Sequence, residues 1–583
     1  MPRSDVRRGA LRSRATPLVL TLLLAVLAGC SMAVGQAGGP VPAPAEPQQR
    51  QVIAAGPPRA AQTAAAPRPD IVLVLMDDFS MDLLQTMKGA RHLARKGASY
   101  DHFVVDSLCC VSRASLMTGQ YPHQTGVRTN TASVLPGAGP MGGWSAFSAY
   151  GNTARSVNVR LQKAGYSTGF VGKYLNEYEY VPGVKPVPPV PAGWSQFHAV
   201  FGSAYDGWGF YSTELVAGRL QLRTHATPSA YASMAERDAA YAGQVVEDYA
   251  LDFIREHRGD AAPYFLEVAP YAPHNRTNPE GAYPGDPLFP AAFRDRPGGS
   301  TPAGNCGPVP CGQLGVDDLP GFGDKRADNT PRTGSGAKAR PWNTGPRLSA
   351  AAATNHLRSR AQMVQSIDRT LRKILKAVDE NTVVVLTSDN GFHLGQVGLG
   401  LGKGTPYDTD VRVPLLVKGP GIVPGERQEL TSNLDLAPTF EELAGLLPAA
   451  YRSGTSLVPT FTDPTLRTRG FVFFEHTSDA VADDPDKAFT GGELKRIPSY
   501  VAVRSRTGLL IRHDLASEPG TVETAWEYYS YKRQRWEQRN VVHKARHAAE
   551  VKLLRAKLAA FDDCARIQRD APVSQRCRRL TQR

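Results

Sequence analysis

The sequence predicts an α/β fold: a large, mostly parallel sheet flanked by helices, followed by a smaller C-terminal antiparallel sheet and a helix. Three observations carry this. Continuous aliphatic runs at 71–76 (IVLVLM), 264–269 (YFLEVA) and 382–387 (TVVVLT) have the composition of strands buried on both faces. Stretches of helical character precede them, and in RAQMVQSIDRTLRKILKAVDE the residues Met363, Ile367, Leu371 and Leu375 recur at near-helical spacing. Beyond about Thr460 the runs shorten to GFVFFEH, YVAVRS and GLLIRH with turn residues between them, the pattern of a small antiparallel sheet.

In chain order, Arg3, Arg7, Arg8, Arg12 and Arg14 lead into an apolar run that stops at Cys30. This is a secretory leader over 1–30, too short and one-sided to span a bilayer. Leu27-Ala28-Gly29-Cys30 resembles a bacterial lipobox, which implies a lipid on Cys30 and a membrane anchor. Arg7-Arg8 leaves the export route open. The chain is therefore expected outside the cytoplasm, as a cell-surface lipoprotein or an extracellular protein. Residues 31–69, rich in Ala, Pro, Gly and Gln, read as a flexible linker. The main α/β domain is assigned to 70–459, with 283–348 read as a long, Gly- and Pro-rich surface excursion. A C-terminal α+β subdomain with a basic tail takes 460–583, ending in a helix with a stripe of Val551, Leu554, Leu558 and Phe561.

Net charge is +13, but the leader holds +4 of it and residues 532–583 hold +10. The body is thus near neutral, and no nucleic-acid partner is expected. An exported chain forms disulfides. Cys306 and Cys311 flank a short turn, and Cys564 and Cys577 a short polar stretch, so each pair can close a small loop. Cys109 and Cys110 remain. Neighbouring cysteines bond to each other only with unusual strain, and no further sulfur or imidazole stands at thiolate-metal spacing. Chemistry or small buried residues are the explanations left.

Functional groups in such a sheet gather at the carboxyl ends of the strands. There the run IVLVLM enters Asp77-Asp78, and TVVVLTS enters Asp389-Asn390. An all-oxygen set of this kind suits a hard divalent cation, calcium or magnesium.

With Asp77-Asp78 and Asp389-Asn390 in view, the arrangement Cys109, Ser112-Arg113, Leu116-Met117-Thr118-Gly119 resembles the signature of the type I sulfatases, in the alkaline phosphatase superfamily. The resemblance runs from Asp70 to about Val542. It implies an alkaline phosphatase-like fold, oxidation of Cys109 to formylglycine by a formylglycine-generating enzyme, and a metal held by Asp77, Asp78, Asp389 and Asn390 together with residue 109. Calcium is the ion it implies. GYSTGFVGKYLNEY carries the family's Gly-Lys at Lys173, APYAPHNR supplies a sulfate-binding histidine at His274, and GLGKGTPYDTDVRVPLLVKGPG a sulfate-contacting lysine at Lys403. With Arg113 these complete the expected catalytic set.

The doubled cysteine, KYLNEY, VPAGWSQFHAVFGSAYDGWGFY and DNGFHLGQ are most similar to the N-acetylglucosamine-6-sulfatase branch. That likeness implies a sulfated amino sugar or another sulfate ester, an aryl sulfate included, as substrate. It also gives Asn176 part of a missing histidine's role and turns His393 to the sugar. Two features depart from the family. Val111 stands where the modification signal has Pro or Ala, and YYSYKRQRWEQRN replaces an acidic strand and turn, a change expected to act on surface charge more than on chemistry. Two other readings use the same residues: a phosphoester or phosphonate hydrolase of the superfamily, and a non-catalytic glycan-binding lipoprotein with an unmodified Cys109.

Overall fold

The computed structural model describes residues 68–582, apart from 107, 133–138, 217, 479–492, 517–520, 533–535 and 567. The leader, Cys30 and the linker up to residue 67 lie outside the described residues. No helix among those described is long and apolar enough to cross a membrane.

The main sheet is built from β1 (Asp70–Met76), β2 (Ala98–Tyr100), β3 (Ser167–Gly172), β4 (Gln196–Ala199), β5 (Tyr264–Ala269), β6 (Thr382–Ser388), β9 (Leu416–Lys418) and β10 (Gly425–Arg427), with a small hairpin, β7 (His393–Leu394) and β8 (Leu401–Gly402), between β6 and β9. Its spatial order is β10-β2-β9-β6-β1-β5-β3-β4. The five strands from β6 to β4 are parallel, and β9 runs antiparallel to both its neighbours. The expected fold class is therefore the one observed.

β1 is central, and its period of two feeds two cores. Val72, Val74 and Met76 face the cluster formed with helices α2 (Ala242–His257) and α3 (Ala350–Ala377). Ile71, Leu73 and Leu75 face the opposite one, which includes Cys110, Ala114, Leu116 and Met117 of α1 (Cys109–Thr118). All six strand residues are fully buried, which is why the run contains no polar alternation.

Four antiparallel strands, β11 (Val472–His476), β12 (Ser499–Arg504), β13 (Gly508–Asp514) and β14 (Thr524–Ser530), form the C-terminal sheet. One face, with Val472, Phe474, Tyr500, Ala502 and Ile511, packs on Leu108, Val111 and Tyr407 of the main domain. The other, with Phe473, Val503, Leu510 and Tyr528, receives Val551, Leu554, Leu558 and Phe561 of α4 (Ala548–Cys564). Cys306–Cys311 and Cys564–Cys577 are bonded.

Two expectations need correction. The segment 283–348 is irregular but is not a surface excursion, because Phe289, Cys306, Leu314 and Leu319 enter the main core and Trp342 enters the core under the C-terminal sheet. Its Gly and Pro content reports irregular backbone, and sparse apolar anchors suffice to bury such a chain. YYSYKRQRWEQRN likewise reaches inward. Tyr528 and Tyr529 belong to β14, and Glu537 is buried, accepting from Asp408 N at 3.2 Å.

Candidate active site

Parallel pairing of β1 and β6, with Met76 opposite Ser388, carries Asp77-Asp78 and Asp389-Asn390 off the same edge of the sheet. The backbone N–H of Asp78 donates to Asp389 Oδ1 at 3.1 Å, and Asn390 Nδ2 donates to Asp78 Oδ1 at 2.7 Å. Asp78 holds φ at 64°, a left-handed conformation that is uncommon for a residue with a side chain.

Two further strands deliver to that edge. β3 pairs with β5 up to Gly172 opposite Ala269, so Lys173 leaves beside Asp77, and its Nζ donates to Asp77 Oδ2 at 2.6 Å. Gly172 sits at φ 113°, where an added Cβ would meet Ala269 O at 2.0 Å, so the residue before Lys173 must be glycine. His274 follows β5, its Nδ1 2.7 Å from Asn275 O and its Nε2 3.5 Å from Asp78 Oδ2. The carbonyl fixes the proton on Nδ1 and turns Nε2 toward the carboxylates.

Cys109 begins α1, so its side chain lies at the positive end of the helix. Its thiol stands 3.5 Å from Asp77 Oδ1 and 3.6 Å from Asp78 Oδ1. Lys403, next after β8, donates from Nζ to Cys109 Sγ at 3.0 Å and to both Asp78 oxygens at 2.8 and 3.0 Å, with His274 Nε2 at 3.3 Å. Arg113, one turn along α1, donates from Nε to Asp389 Oδ2 and from Nη1 to Lys173 O, each at 2.8 Å. Asp77, Asp78, Cys109, Arg113, Lys173, His274, Asp389, Asn390 and Lys403 are thereby gathered in one cluster, none more than 2% exposed.

The electrostatics follow from that burial. Burial pushes the Cys109 thiol well above its ordinary value, against the pull of Lys173 and Lys403. Burial alone would also raise Asp77, yet Lys173, His274 and Arg113 hold it below the usual carboxylate range. Asp389 is raised, by burial and then by the charge of Asp77.

The donor set fits a hard divalent cation. Asp77, Asp78, Cys109 and His274 each offer a ligand atom, all within 4.8 Å of one another. Asp389 and Asn390 add oxygens, and Asn390 Oδ1 is buried with no hydrogen-bond partner among the described residues. An unpaired buried carbonyl beside three carboxylates is costly unless a cation satisfies it.

Asn176 and His393 are placed differently. Asn176 donates its backbone N–H to Cys110 Sγ at 3.1 Å, while its side-chain Oδ1 is buried with no partner among the described residues. His393 is fully buried, with Nδ1 3.0 Å from both Asp410 oxygens. Asp410 Oδ2 also accepts from Thr405 N and Oγ1, at 2.8 and 2.6 Å, so His393 braces the segment that presents Lys403.

Two contributors escaped the sequence. Arg360 of α3 donates from Nη2 to the Asp78 carbonyl, packed between Phe289 and Phe392, and burial pushes its guanidinium down to about 10. A cation on the apolar stripe of a helix, four residues before Val364, is the signal that would have found it. Tyr205 packs against His274 with ring centroids 4.4 Å apart and planes tilted by 48°, and lies under Lys173 Nζ. It lies within VPAGWSQFHAVFGSAYDGWGFY, where nothing singles it out among the other aromatic residues.

Comparison with known proteins agrees with this geometry. A family model described as Sulfatase matches residues 69–446. N-acetylglucosamine-6-sulfatase of Homo sapiens is 29% identical over 453 residues, 75% of this chain and 73% of that protein. A putative extracellular sulfatase Sulf-1 homolog of Caenorhabditis elegans is 28% identical over 403 residues, 67% of this chain, which spans only 48% of that protein. Among solved structures, one of a protein in complex with its substrate D-glucosamine-2-N,6-O-disulfate superposes with a TM-score of 0.57 at 18% identity, covering 87% of this chain and all of the other.

Proposed function

The chain belongs to the sulfatase family, and from that premise we propose that it hydrolyses sulfate esters with a formylglycine derived from Cys109, taking a sulfated amino sugar as substrate. One observation carries the reading: residue 109 lies at a helix N-terminus with Lys403 Nζ and the carboxylates of Asp77 and Asp78 all against its side chain. A hydrated aldehyde there would be in reach of both an ammonium and metal-binding carboxylates.

One hydroxyl of the diol attacks sulfur, forming an O–S bond as the ester O–S bond breaks and the alcohol leaves with a proton. The second hydroxyl then gives up its proton, its C–O bond becomes the aldehyde carbonyl, and sulfate departs; water rehydrates the aldehyde. Splitting the displacement in this way avoids hydrolysis of a stable sulfated side chain. Asp77, Asp78, Asp389 and Asn390 would hold the divalent ion, calcium by family resemblance, which supplies Lewis acidity to the attacking hydroxyl and the sulfuryl oxygens. Lys173, His274 and Lys403 orient the sulfuryl group and offset its charge. Arg113 fixes Asp389 and the Lys173 backbone.

Charge balance favours sulfate. Asp77, Asp78 and Asp389 oppose Arg113, Lys173 and Lys403 in the buried cluster, so a divalent ion leaves two positive charges. A monoanionic sulfate ester and one ionised hydroxyl cancel them, whereas a phosphate monoester dianion leaves an uncompensated negative charge in a buried site.

The leader and the lipobox-like Cys30 support export and lipid anchoring at the cell surface, and Cys109 in its signature supports a formylglycine-generating enzyme as partner. Side-by-side assay of an aryl sulfate and an aryl phosphate tests the reading. The account expects kcat/KM for sulfate to be higher by roughly a hundredfold; equal or inverted values would replace it with the phosphoester reading.

A further inference from the structure

A cleft of 660 Å³ between Asp324, Trp536 and Arg546 involves none of the residues at the chemistry. A smaller one of 440 Å³, lined by His123, Arg128, Glu475, Tyr500 and His513 among others, is tied to it at three points. Arg128 is two residues from Asn130, whose Oδ1 accepts from Cys110 N at 3.1 Å. Glu475 N donates to Asp106 Oδ1 at 3.4 Å, three residues before Cys109. Tyr500 donates from its hydroxyl to Gly404 O at 3.2 Å, next to Lys403. The cleft is therefore bordered by the segments that present residue 109 and Lys403.

The charges lining this cleft are unevenly committed. Glu475 is met by His123, through the backbone N–H at 2.6 Å and Nδ1 at 3.0 Å. Arg512 is spent on Asp562 through both Nη atoms, at 2.5 and 2.8 Å. Asp514 accepts the backbone N–H groups of Ala516 and Glu523. Arg128, by contrast, is exposed and has neither a hydrogen bond nor an ion pair within 4.0 Å from its side chain among the described residues. Deeper in, His513 is 1% exposed, with Nε2 3.2 Å from Glu527 Oε1 and Nδ1 buried without a partner among the described residues. The cleft thus offers one uncommitted guanidinium on its rim and an imidazole at its base.

We propose that this cleft seats the sugar bearing the scissile sulfate, and that Arg128 receives a second anionic group, sulfate or carboxylate, on that sugar or its neighbour. The proposal rests on the sulfatase reading and deepens it: the preferred substrate is doubly anionic. A guanidinium matches either anion with two parallel hydrogen bonds, which an amide or an ammonium cannot reproduce.

Kinetics of the intact, modified protein and its Arg128→Gln variant on three compounds test it: glucosamine 6-sulfate, glucosamine N,6-disulfate, and a 6-sulfated glucosamine linked to a uronate. The wild type is expected to favour at least one dianionic compound over the first, and Arg128→Gln to lower that kcat/KM ratio roughly tenfold through KM, with Arg128→Lys recovering part of it. Which ratio falls tells sulfate from carboxylate. No dianionic preference, or ratios unchanged by Arg128→Gln in an enzyme that still turns over glucosamine 6-sulfate, overturns the Arg128 subsite alone. Absence of wild-type turnover on all three compounds and on aryl sulfate overturns the sulfatase reading itself.

Discussion

Arg113 and Asp389, on different elements and 276 residues apart, meet at 2.8 Å in an ion pair with no solvent exposure on either side chain. The same guanidinium holds the carbonyl of Lys173, so one buried cation sets the position of a carboxylate and of a lysine to which we assign metal and sulfate binding. Removing one partner of such a pair costs about 3 to 5 kcal/mol because the other charge stays buried. We predict that Arg113→Met lowers the unfolding free energy by that order and abolishes turnover. Arg113→Lys, which cannot make both bonds, is expected to regain some stability but little activity. Denaturant titration with parallel assays checks both.

The oxygen donors at the strand ends predict a metal requirement. Exhaustive chelation is expected to abolish activity, and added calcium to restore it. Asp389→Asn should raise the calcium concentration needed for half-restoration by tenfold or more, about 1.4 kcal/mol. The same shift should be visible as a smaller calcium-dependent rise in Tm, a readout independent of turnover. Calcium-independent activity after chelation would contradict the assignment.

His274 and His393 are both buried at the site, but they do different work. His274 Nε2 faces Asp78 and Lys403, whereas His393 braces Asp410. His274→Ala is therefore predicted to lower kcat/KM for aryl sulfate by roughly a hundredfold. His393→Gln, which keeps a polar group near Asp410, is predicted to lose less than about tenfold and to lower Tm. Equal losses would show that His393 touches substrate.

Asp106 gives a pH prediction. Burial, and then the neighbouring charge of Glu475, pushes its carboxyl up to about 8 from 3.8. A group raised in the folded state is protonated there while the unfolded chain has already lost the proton. Its contribution is thus intact below pH 4 and is lost as pH rises toward 8, at up to about 1.4 kcal/mol per unit. Asp106→Asn removes this dependence. Its Tm advantage over the wild type should grow between pH 5 and 8 and then level off; a constant difference would contradict the sign.

Much of this architecture was legible because it rests on patterns of short period. The runs that became β1, β5 and β6 are apolar at every position since both faces are covered, and their exits name Asp77, Asp78, Asp389 and Asn390 directly. β14 was harder to see. Glu527 lies in the middle of it, fully buried, where it accepts from the hydroxyls of Tyr407 and Tyr529 at 3.0 and 2.8 Å and from Trp342 Nε1 at 3.1 Å. A charged residue reads as solvent-facing until its partners are known, and here two of the three, Trp342 and Tyr407, come from segments more than a hundred residues away. Arg360 is a milder case: its place on the apolar stripe of α3 is visible in the sequence, but its partner is a backbone carbonyl that residue identity does not name. The burial of 283–348 was missed for a related reason: a few anchors without period carry no sequence signal.

In the proposed mechanism all of the chemistry passes through residue 109, whose state can be read without any assay. Mass spectrometry of the peptide containing residue 109, from protein produced in its own host, is predicted to show the aldehyde or its hydrate at Cys109 and an unmodified thiol at Cys110. An intact Cys109 thiol in a preparation that cleaves sulfate esters at full rate would contradict the account.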